Sequence, residues 1–165
     1  MELELGPAMV LQQNMLCIMI APVEMLSGML NRHLDLRRFQ TLFICGNCSR
    51  VLDKLDRRFT DLNIRRAFTA FQLLTILEEA YQTLVIIEHD PLLYGEAEMM
   101  TEYISMALKD LSRGSAVLLY SPATDTYLDQ MAARADRVCC FGELVRSGPG
   151  TRKLRSDCQT TLGAF

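Results

Sequence analysis

The sequence predicts an α/β fold, with a mainly parallel five-stranded sheet between two layers of helices in a three-layer sandwich. The first observation is a series of short runs that are apolar at every position, as in strands buried on both faces of a parallel sheet. The second is that segments with helical periodicity separate these runs, and such alternation gives parallel strands joined by crossovers. The third is the length of 165 residues, which suits one domain with a sizeable core.

The elements follow in a regular order along the chain. Five apolar segments are predicted as strands: Met15–Ile20, Thr41–Cys45, 83–88, 115–120 and 137–141. Helical patterns and breakers place five helices between them: 22–33, 49–59, 64–81, 96–112 and 122–135. The middle of the third helix, 67–77, is apolar almost all round, which is typical of a largely buried helix.

Composition divides the chain into one domain and a tail. The α/β domain is expected to span 1–141, with 1–13 as either an additional edge strand or a loose arm. After Gly142 the sequence becomes polar and glycine-rich, and Gly148-Pro149-Gly150 breaks any regular element. We therefore expect 142–165 to form a polar, partly disordered C-terminal tail.

Charge and hydropathy exclude some classes of protein. A net charge of −3 argues against a surface that grips nucleic acid on all sides. The apolar run 15–23 is far shorter than the roughly 20 residues of a membrane-spanning helix. The first residues carry no basic stretch of the kind that begins a secretory signal. We expect a cytoplasmic protein that does not contact the membrane, with its cysteines reduced.

Three stretches resemble the second half of a RecA-superfamily core, as found in archaeal RecA paralogues and KaiC-like ATPases. They are Ile64-Arg65-Arg66-Ala67-Phe68-Thr69-Ala70-Phe71-Gln72, Leu84-Val85-Ile86-Ile87-Glu88-His89-Asp90-Pro91, and Ala116-Val117-Leu118-Leu119-Tyr120-Ser121 with the later Ala135-Asp136-Arg137-Val138. The likeness covers roughly the last two thirds of the core. It implies a RecA-like P-loop NTPase fold with strand order 5-1-4-3-2, a Walker A loop after the first strand and a Walker B carboxylate after the third. It also implies assembly edge to edge.

The turn that corresponds to the Walker A loop is degenerate. A phosphate-binding loop needs glycines, whose backbone N–H groups wrap the phosphates, and a lysine. Here the turn reads Ala21-Pro22-Val23-Glu24, and no lysine precedes Lys54. Pro22 has no N–H, and Glu24 would repel a phosphate about 4 Å away by roughly 4 kcal/mol at an effective dielectric constant near 20. The sequence therefore favours a protein without ATP or Mg²⁺ as cofactor, and a non-enzyme.

The Walker B equivalent leaves two interpretations open. Glu88 and Asp90 follow the third strand, and either carboxylate could support Mg²⁺ at this position. His89 lies between them and could act as a general base. The alternatives are that the carboxylates are solvated or cap the backbone, and that His89 is a structural or surface residue.

Two cysteine arrangements also have alternatives. Cys45-Gly46-Asn47-Cys48 follows a strand and precedes a predicted helix, which is the setting of a thioredoxin-like redox pair. Cys45 and Cys48 together with Cys139 and Cys140 would supply the four ligands of a zinc site. The RecA-like strand order opposes the zinc site because it separates the two pairs by four strand spacings. Packed or idle thiols are the alternative to both.

Basic residues suggest a contact with nucleic acid. The candidates are the doublet Arg65-Arg66 and, in the tail, Arg152, Lys153 and Arg155, which could bind phosphates. No aromatic side chain interleaves the basic residues of the tail to stack on bases. An ordinary solvated face is the alternative.

These observations lead to three hypotheses for the function. The first is a non-catalytic RecA-like module that acts through protein–protein association, with itself or with a RecA-family ATPase in DNA metabolism or regulation. The second is a divergent nucleotide-binding protein or ATPase that uses Glu88 or Asp90 with Mg²⁺. The third is a nucleic-acid-binding protein that uses the tail and the arginine doublets Arg37-Arg38, Arg57-Arg58 and Arg65-Arg66.

Overall fold

A computed structural model describes residues 2–6, 9–33, 39–56, 62–95 and 97–142. The strands are β1 (Glu2–Gly6), β2 (Met9–Gln12), β3 (Met15–Ile20), β4 (Thr41–Cys45), β5 (Leu62–Arg66), β6 (Leu84–Glu88), β7 (Ala116–Ser121) and β8 (Arg137–Cys140). The α-helices are α1 (Val23–Arg32), α2 (Ala70–Glu79), α3 (Met100–Leu111) and α4 (Thr126–Ala132). The part of the tail at 143–165, including Arg152, Lys153 and Arg155, lies outside the described residues.

The central sheet is parallel throughout, with the strand order β5-β4-β6-β7-β3-β8. Every residue of β4 and of β7 is buried, which accounts for their continuous apolar sequences. The α/β class and the parallel sheet are as predicted. Because all six strands run in one direction, their carboxyl ends share one edge of the sheet, where ligands bind in folds of this class.

The prediction of five strands in the order 5-1-4-3-2 is corrected by β5. The sheet in the described part of the chain has six strands. The prediction placed β4 at one edge, but β5 pairs with the outer side of β4 and forms that edge instead. Sequence placed the first two residues of β5 in a capping segment and the other three in the helix 64–81, because Leu62-Asn63-Ile64-Arg65-Arg66 is not an apolar run. Pairing with β4 over five residues overrides the local pattern. Helix α2 begins only after Thr69, whose hydroxyl caps it by accepting a hydrogen bond from the Gln72 N–H at 3.1 Å.

A second predicted helix, 49–59, is also wrong over the residues that the structure describes. Up to residue 56 the segment holds a single 3-10 turn, Leu52–Lys54. The Ser49 hydroxyl accepts the Leu52 N–H at 3.0 Å and so closes this turn locally. Such side-chain bonds to nearby backbone compete with helix formation.

Two apolar layers cover the sheet, and they differ in composition. Helices α2, α3 and α4 cover one face, and α1 with the antiparallel β1–β2 hairpin covers the other. The hairpin buries four apolar side chains: Leu3, Leu5, Met9 and Leu11. Segment 1–13 is therefore neither an edge strand of the main sheet nor a loose arm over its described residues. The prediction of two purely helical outer layers is corrected accordingly.

The helices of the described part are all too short, or too polar, to cross a lipid bilayer. This agrees with the length of the apolar run in β3 and of the helices that flank the sheet.

Candidate functional site

Four segments meet at the carboxyl edge of the sheet. They are 21–24 after β3, 46–49 after β4, 88–90 after β6 and 121–125 after β7, and these strands are neighbours in the order β4-β6-β7-β3. The topology therefore brings together the residues that sequence singled out for nucleotide or metal chemistry: Ala21, Pro22, Val23, Glu24, Glu88, His89 and Asp90.

The turn between β3 and α1 is tight. Strand β3 ends at Ile20 and α1 begins at Val23, so two residues connect them. Both ends of this short turn are bonded: the Ala21 carbonyl accepts the Tyr120 hydroxyl at 3.0 Å, and the Pro22 carbonyl accepts the Met25 N–H at 3.0 Å. No wide loop of backbone N–H groups lies between this strand and this helix.

Glu24 supplies an internal anion at the start of α1. Its carboxylate accepts a hydrogen bond from its own backbone N–H, and this bond, with the pairing to Lys54, lowers the pKa of Glu24. The Lys54 Nζ lies 3.1 Å from Oε1 of Glu24. The N-terminal turn of α1, where a phosphate would be bound in a P-loop protein, thus faces a carboxylate of the chain itself.

Glu88, at the end of β6, caps the turn that follows β4. Its Oε2 accepts the Ser49 hydroxyl, and its Oε1 accepts the Arg50 N–H at 3.2 Å. Burial is the main influence on this carboxyl, and it raises the pKa of Glu88 above its usual value in spite of these donors. Both oxygens are therefore engaged by the chain, and the charge is held at an electrostatic cost.

His89 forms a buried pair with Asp125. The side chain of His89 has no exposed surface, and its Nε2 lies 2.7 Å from Oδ2 of Asp125. The ring stacks on Tyr94, with centroids 5.6 Å apart, and Tyr94 in turn contacts Tyr127 at 5.1 Å. Nδ1 of His89 is buried without a partner in the described part of the protein. A general base must reach its substrate, and this ring is enclosed.

Asp125 links the buried His89 ring to the start of helix α4. Its Oδ1 accepts the Leu128 N–H at 2.8 Å and so caps α4. Burial would raise the pKa of this carboxyl, but the hydrogen bond and charge of His89, together with the backbone donors of α4, outweigh burial and lower it. Asp125 is therefore a carboxylate that the folded chain holds in its ionised form.

Asp90 is held between two backbone segments. Its Oδ1 accepts the Leu92 N–H at 3.0 Å and caps the 3-10 turn Pro91–Tyr94. Its Oδ2 lies directly over Gly46, so closely that a Cβ atom at that position would come within 2.5 Å of the oxygen. Gly46 is thus required by the close approach of this carboxylate to the turn after β4.

Replacing Gly46 by alanine tests this close approach. We expect Gly46→Ala to lower the free energy of unfolding by about 1–2 kcal/mol, because the added methyl group overlaps the Asp90 carboxylate. In an Asp90→Ala background the same substitution should cost less than about 0.5 kcal/mol, since the overlapping atoms are gone. Urea denaturation of the four proteins measures both values, and equal losses in the two backgrounds would contradict the contact.

The two cysteine pairs of the zinc hypothesis, Cys45 with Cys48 and Cys139 with Cys140, lie far from each other across the sheet. Cys45 is buried at the end of β4, where burial raises its pKa, and Cys48 is exposed. Sequence analysis expected a helix to begin after Cys48, but the 3-10 turn Leu52–Lys54 takes its place. Over its described residues, this segment therefore provides no α-helix dipole next to Cys48. Cys139 and Cys140 lie in β8, four strand spacings from β4. Over the described ranges, no three His, Cys, Asp or Glu residues cluster as a metal site would require.

Arg65 and Arg66 are engaged within the chain, whereas the other basic residues singled out for nucleic acid lie outside the described residues. Arg65 pairs with Glu79 at 2.8 Å. Arg66 donates to the carbonyl of Asn47 at 2.6 Å and to that of Gly46 at 3.3 Å. These contacts hold β5 and the turn after β4 in place and leave fewer donors for phosphates.

An exposed apolar surface on α2 and α3 was missed by sequence reasoning. Phe71 is 63% exposed, Met99 79%, Tyr103 55% and Met106 47%. Beside them an open groove of about 440 Å³ runs between the two helices. Its walls are Leu74, Leu77, Ala80, Tyr103, Met106, Ala107 and Leu111, with Glu78 and Asp110 at the rim. We call these four exposed side chains and the groove the α2–α3 face.

This surface corrects the expectation that the segment 67–77 is largely buried. An apolar pattern that runs almost all round a helix indicated burial, yet Phe71 and Phe68 project outward. The spacing of Met99, Tyr103 and Met106 at i, i+4 and i+7 was the signal that could have revealed one exposed stripe. Ser49 and Lys54 were also missed as the partners of Glu88 and Glu24, and Asp125 as the partner of His89, since each is distant in sequence.

Comparisons with known proteins find a similar sequence and similar solved structures. No family model matches the chain. An uncharacterized protein of Archaeoglobus fulgidus is 36% identical over 118 residues, which are 71% of this chain and 60% of that protein. The chain thus spans about three fifths of the length of this relative. Among solved structures, the flagellar accessory protein FlaH of Methanocaldococcus jannaschii is similar with a TM-score of 0.48 and 8% identity, over 79% of this chain and 72% of FlaH.

Proposed function

We propose that this chain is a RecA-like module without nucleotide chemistry, which acts through association with protein. The observation that carries the proposal is that the carboxylates at the carboxyl edge are all bonded to the chain itself. Glu24 accepts its own N–H and pairs with Lys54, and Glu88 caps the turn after β4. Asp90 and Asp125 cap the 3-10 turn at 91–94 and helix α4.

Electrostatics at this edge supports the absence of nucleotide binding. A triphosphate brought to the start of α1 would meet the Glu24 carboxylate, and Pro22 offers it no N–H. Mg²⁺ at Glu88 would compete with the Ser49 hydroxyl and the Arg50 N–H for the lone pairs of the carboxylate. Losing either hydrogen bond would leave its donor unsatisfied. The internal arrangement therefore competes with any metal or phosphate.

The α2–α3 face supports the association. Single exposed apolar side chains are normal on a protein surface, but a continuous apolar stripe beside a groove marks an interaction site. Met99, Tyr103 and Met106 form such a stripe by their spacing, and Phe71 is exposed on the neighbouring helix α2. A module whose carboxyl edge is closed and whose helical face is apolar is suited to bind a protein, either a second copy or a RecA-family ATPase.

A nucleotide titration tests the proposal. We expect the melting temperature of the protein to stay unchanged when Mg-ATP is added up to millimolar concentration. A ligand at 100 times its Kd would stabilise the fold by about 2.7 kcal/mol, which a thermal-shift measurement detects readily. A shift with Mg-ATP that disappears in Glu88→Gln would contradict the proposal and favour a divergent ATPase that uses this carboxylate.

A further inference from the structure

The α2–α3 face carries two of its exposed side chains at one end, and at the other a hollow whose walls include the other two, Tyr103 and Met106. The groove joins Leu77 and Ala80 near the end of α2 to Ala107 and Leu111 near the end of α3, so the two helices run in the same direction. Phe71 and Met99 project at the opposite end, where both helices begin. The distance along the helix from Phe71 to Ala80 is about 13 Å at 1.5 Å per residue.

This arrangement of projecting side chains and groove suits a two-fold symmetric pair of chains. In such an interface the same patch of each copy must be complementary to itself. If a second copy packs its α2 and α3 antiparallel to these helices, Phe71 and Met99 of one copy lie over the groove of the other. The groove volume of about 440 Å³ accommodates two large side chains.

The charges on this face favour the same orientation. Glu78 and Asp110 lie on the groove rim at the C-terminal ends of the helices. Helix α3 begins at Met100 without a side-chain cap, and the N–H groups of Met100 and Thr101 donate to the carbonyls of Ala97 and Glu98, so this end acts on a partner through the helix dipole. In an antiparallel pair the acidic rim of one copy faces the helix N-termini of the other, which attract negative charge.

The four exposed side chains supply about three quarters of the smallest area that a stable dimer buries. Four side chains at about half to four-fifths exposure present roughly 400–500 Å² of mainly apolar surface on each chain. Two such faces bury about 900 Å² through these side chains alone, and the groove walls add to this. Stable interfaces bury about 1,200–2,000 Å² in total.

We infer that the partner of the α2–α3 face is a second copy of this chain, packed about a two-fold axis with its α2 and α3 antiparallel to the first. The inference rests on the proposed function, because it names the protein that the module associates with. The dimer is closed, since both apolar faces are used in one contact.

Sedimentation velocity on the full chain tests the inference with a matched pair of variants. Met106 and Ile64 are each 47% exposed, but Ile64 lies on the edge strand β5, away from the α2–α3 face. We expect the wild type to be a dimer, Met106→Glu and Tyr103→Glu to weaken self-association at least about 30-fold, and Ile64→Glu to leave it unchanged. Circular dichroism confirms that each variant is folded.

The outcomes separate this inference from the proposed function. A monomeric wild type, or a dimer that Met106→Glu and Tyr103→Glu both leave intact, overturns the second copy as the occupant of this face. Either result leaves the proposed function standing with a different protein partner or a different face. Stabilisation by Mg-ATP overturns the proposed function whatever the oligomeric state.

Discussion

Asp125→Ala is expected to lower the free energy of unfolding by about 3 kcal/mol. The substitution removes the cap of α4, which by itself is worth about 0.5–2 kcal/mol. It also leaves Nε2 of the buried His89 ring without its partner, and an unsatisfied buried polar group costs about 1–3 kcal/mol. Equilibrium denaturation in urea measures the loss as a lower midpoint.

Asp125→Asn is the matched control, because its amide can still cap α4 and still meets His89. We expect a loss of about 1 kcal/mol, much smaller than that of the alanine variant. The pKa of Asp125 is lowered in the folded protein, so its stabilisation is complete above the unfolded carboxyl pKa of about 3.9 and is lost as the pH falls through the folded pKa. Alanine and asparagine variants of equal stability at neutral pH would refute the role of the His89 contact.

Glu88→Ala is expected to lower the free energy of unfolding by about 2 kcal/mol. The Ser49 hydroxyl, in a buried residue, and the Arg50 N–H both lose their acceptor, and the turn after β4 loses its connection to β6. Glu88→Gln should change stability by less than about 1 kcal/mol, because the amide oxygen still accepts a bond and no charge has to be buried.

The contrast between these two Glu88 variants distinguishes a structural carboxylate from a catalytic one. A carboxylate kept for metal binding adds little to the stability of the apoprotein, so its removal would be neutral or stabilising. Thermal melts of both variants without added metal decide this point. If Glu88→Ala melts at or above the temperature of the wild type, the capping role is wrong.

The buried strands could be predicted because their signal is local. β3 and β4 are apolar at every position and have the predicted bounds, since a strand covered on both faces excludes polar side chains. β5 could not be predicted in this way. As an edge strand it exposes Asn63 and Arg66, and its pairing with β4 involves residues about 20 positions earlier in the chain. The β1–β2 hairpin was missed as a layer for a similar reason, because its partners are on distant elements.

The position of the candidate site followed from topology, but its chemistry did not. The carboxyl ends of parallel strands share one edge, so Glu24, Glu88 and Asp90 were expected there. What those carboxylates do depends on contacts with Lys54 and Ser49, which lie 30 to 39 positions away and leave no pattern near the motif. An Asp or Glu that follows a strand in the sequence therefore predicts where its carboxylate lies. The hydrogen bonds of that carboxylate decide whether it is available to a ligand.

A crystal structure grown in the presence of Mg-ATP tests most directly whether the carboxyl edge is closed to nucleotide. The account predicts Glu24 paired with Lys54 and Glu88 bonded to Ser49, with no nucleotide density against 21–24. A triphosphate lying on that turn, with Mg²⁺ held by Glu88 or Asp90, would contradict it.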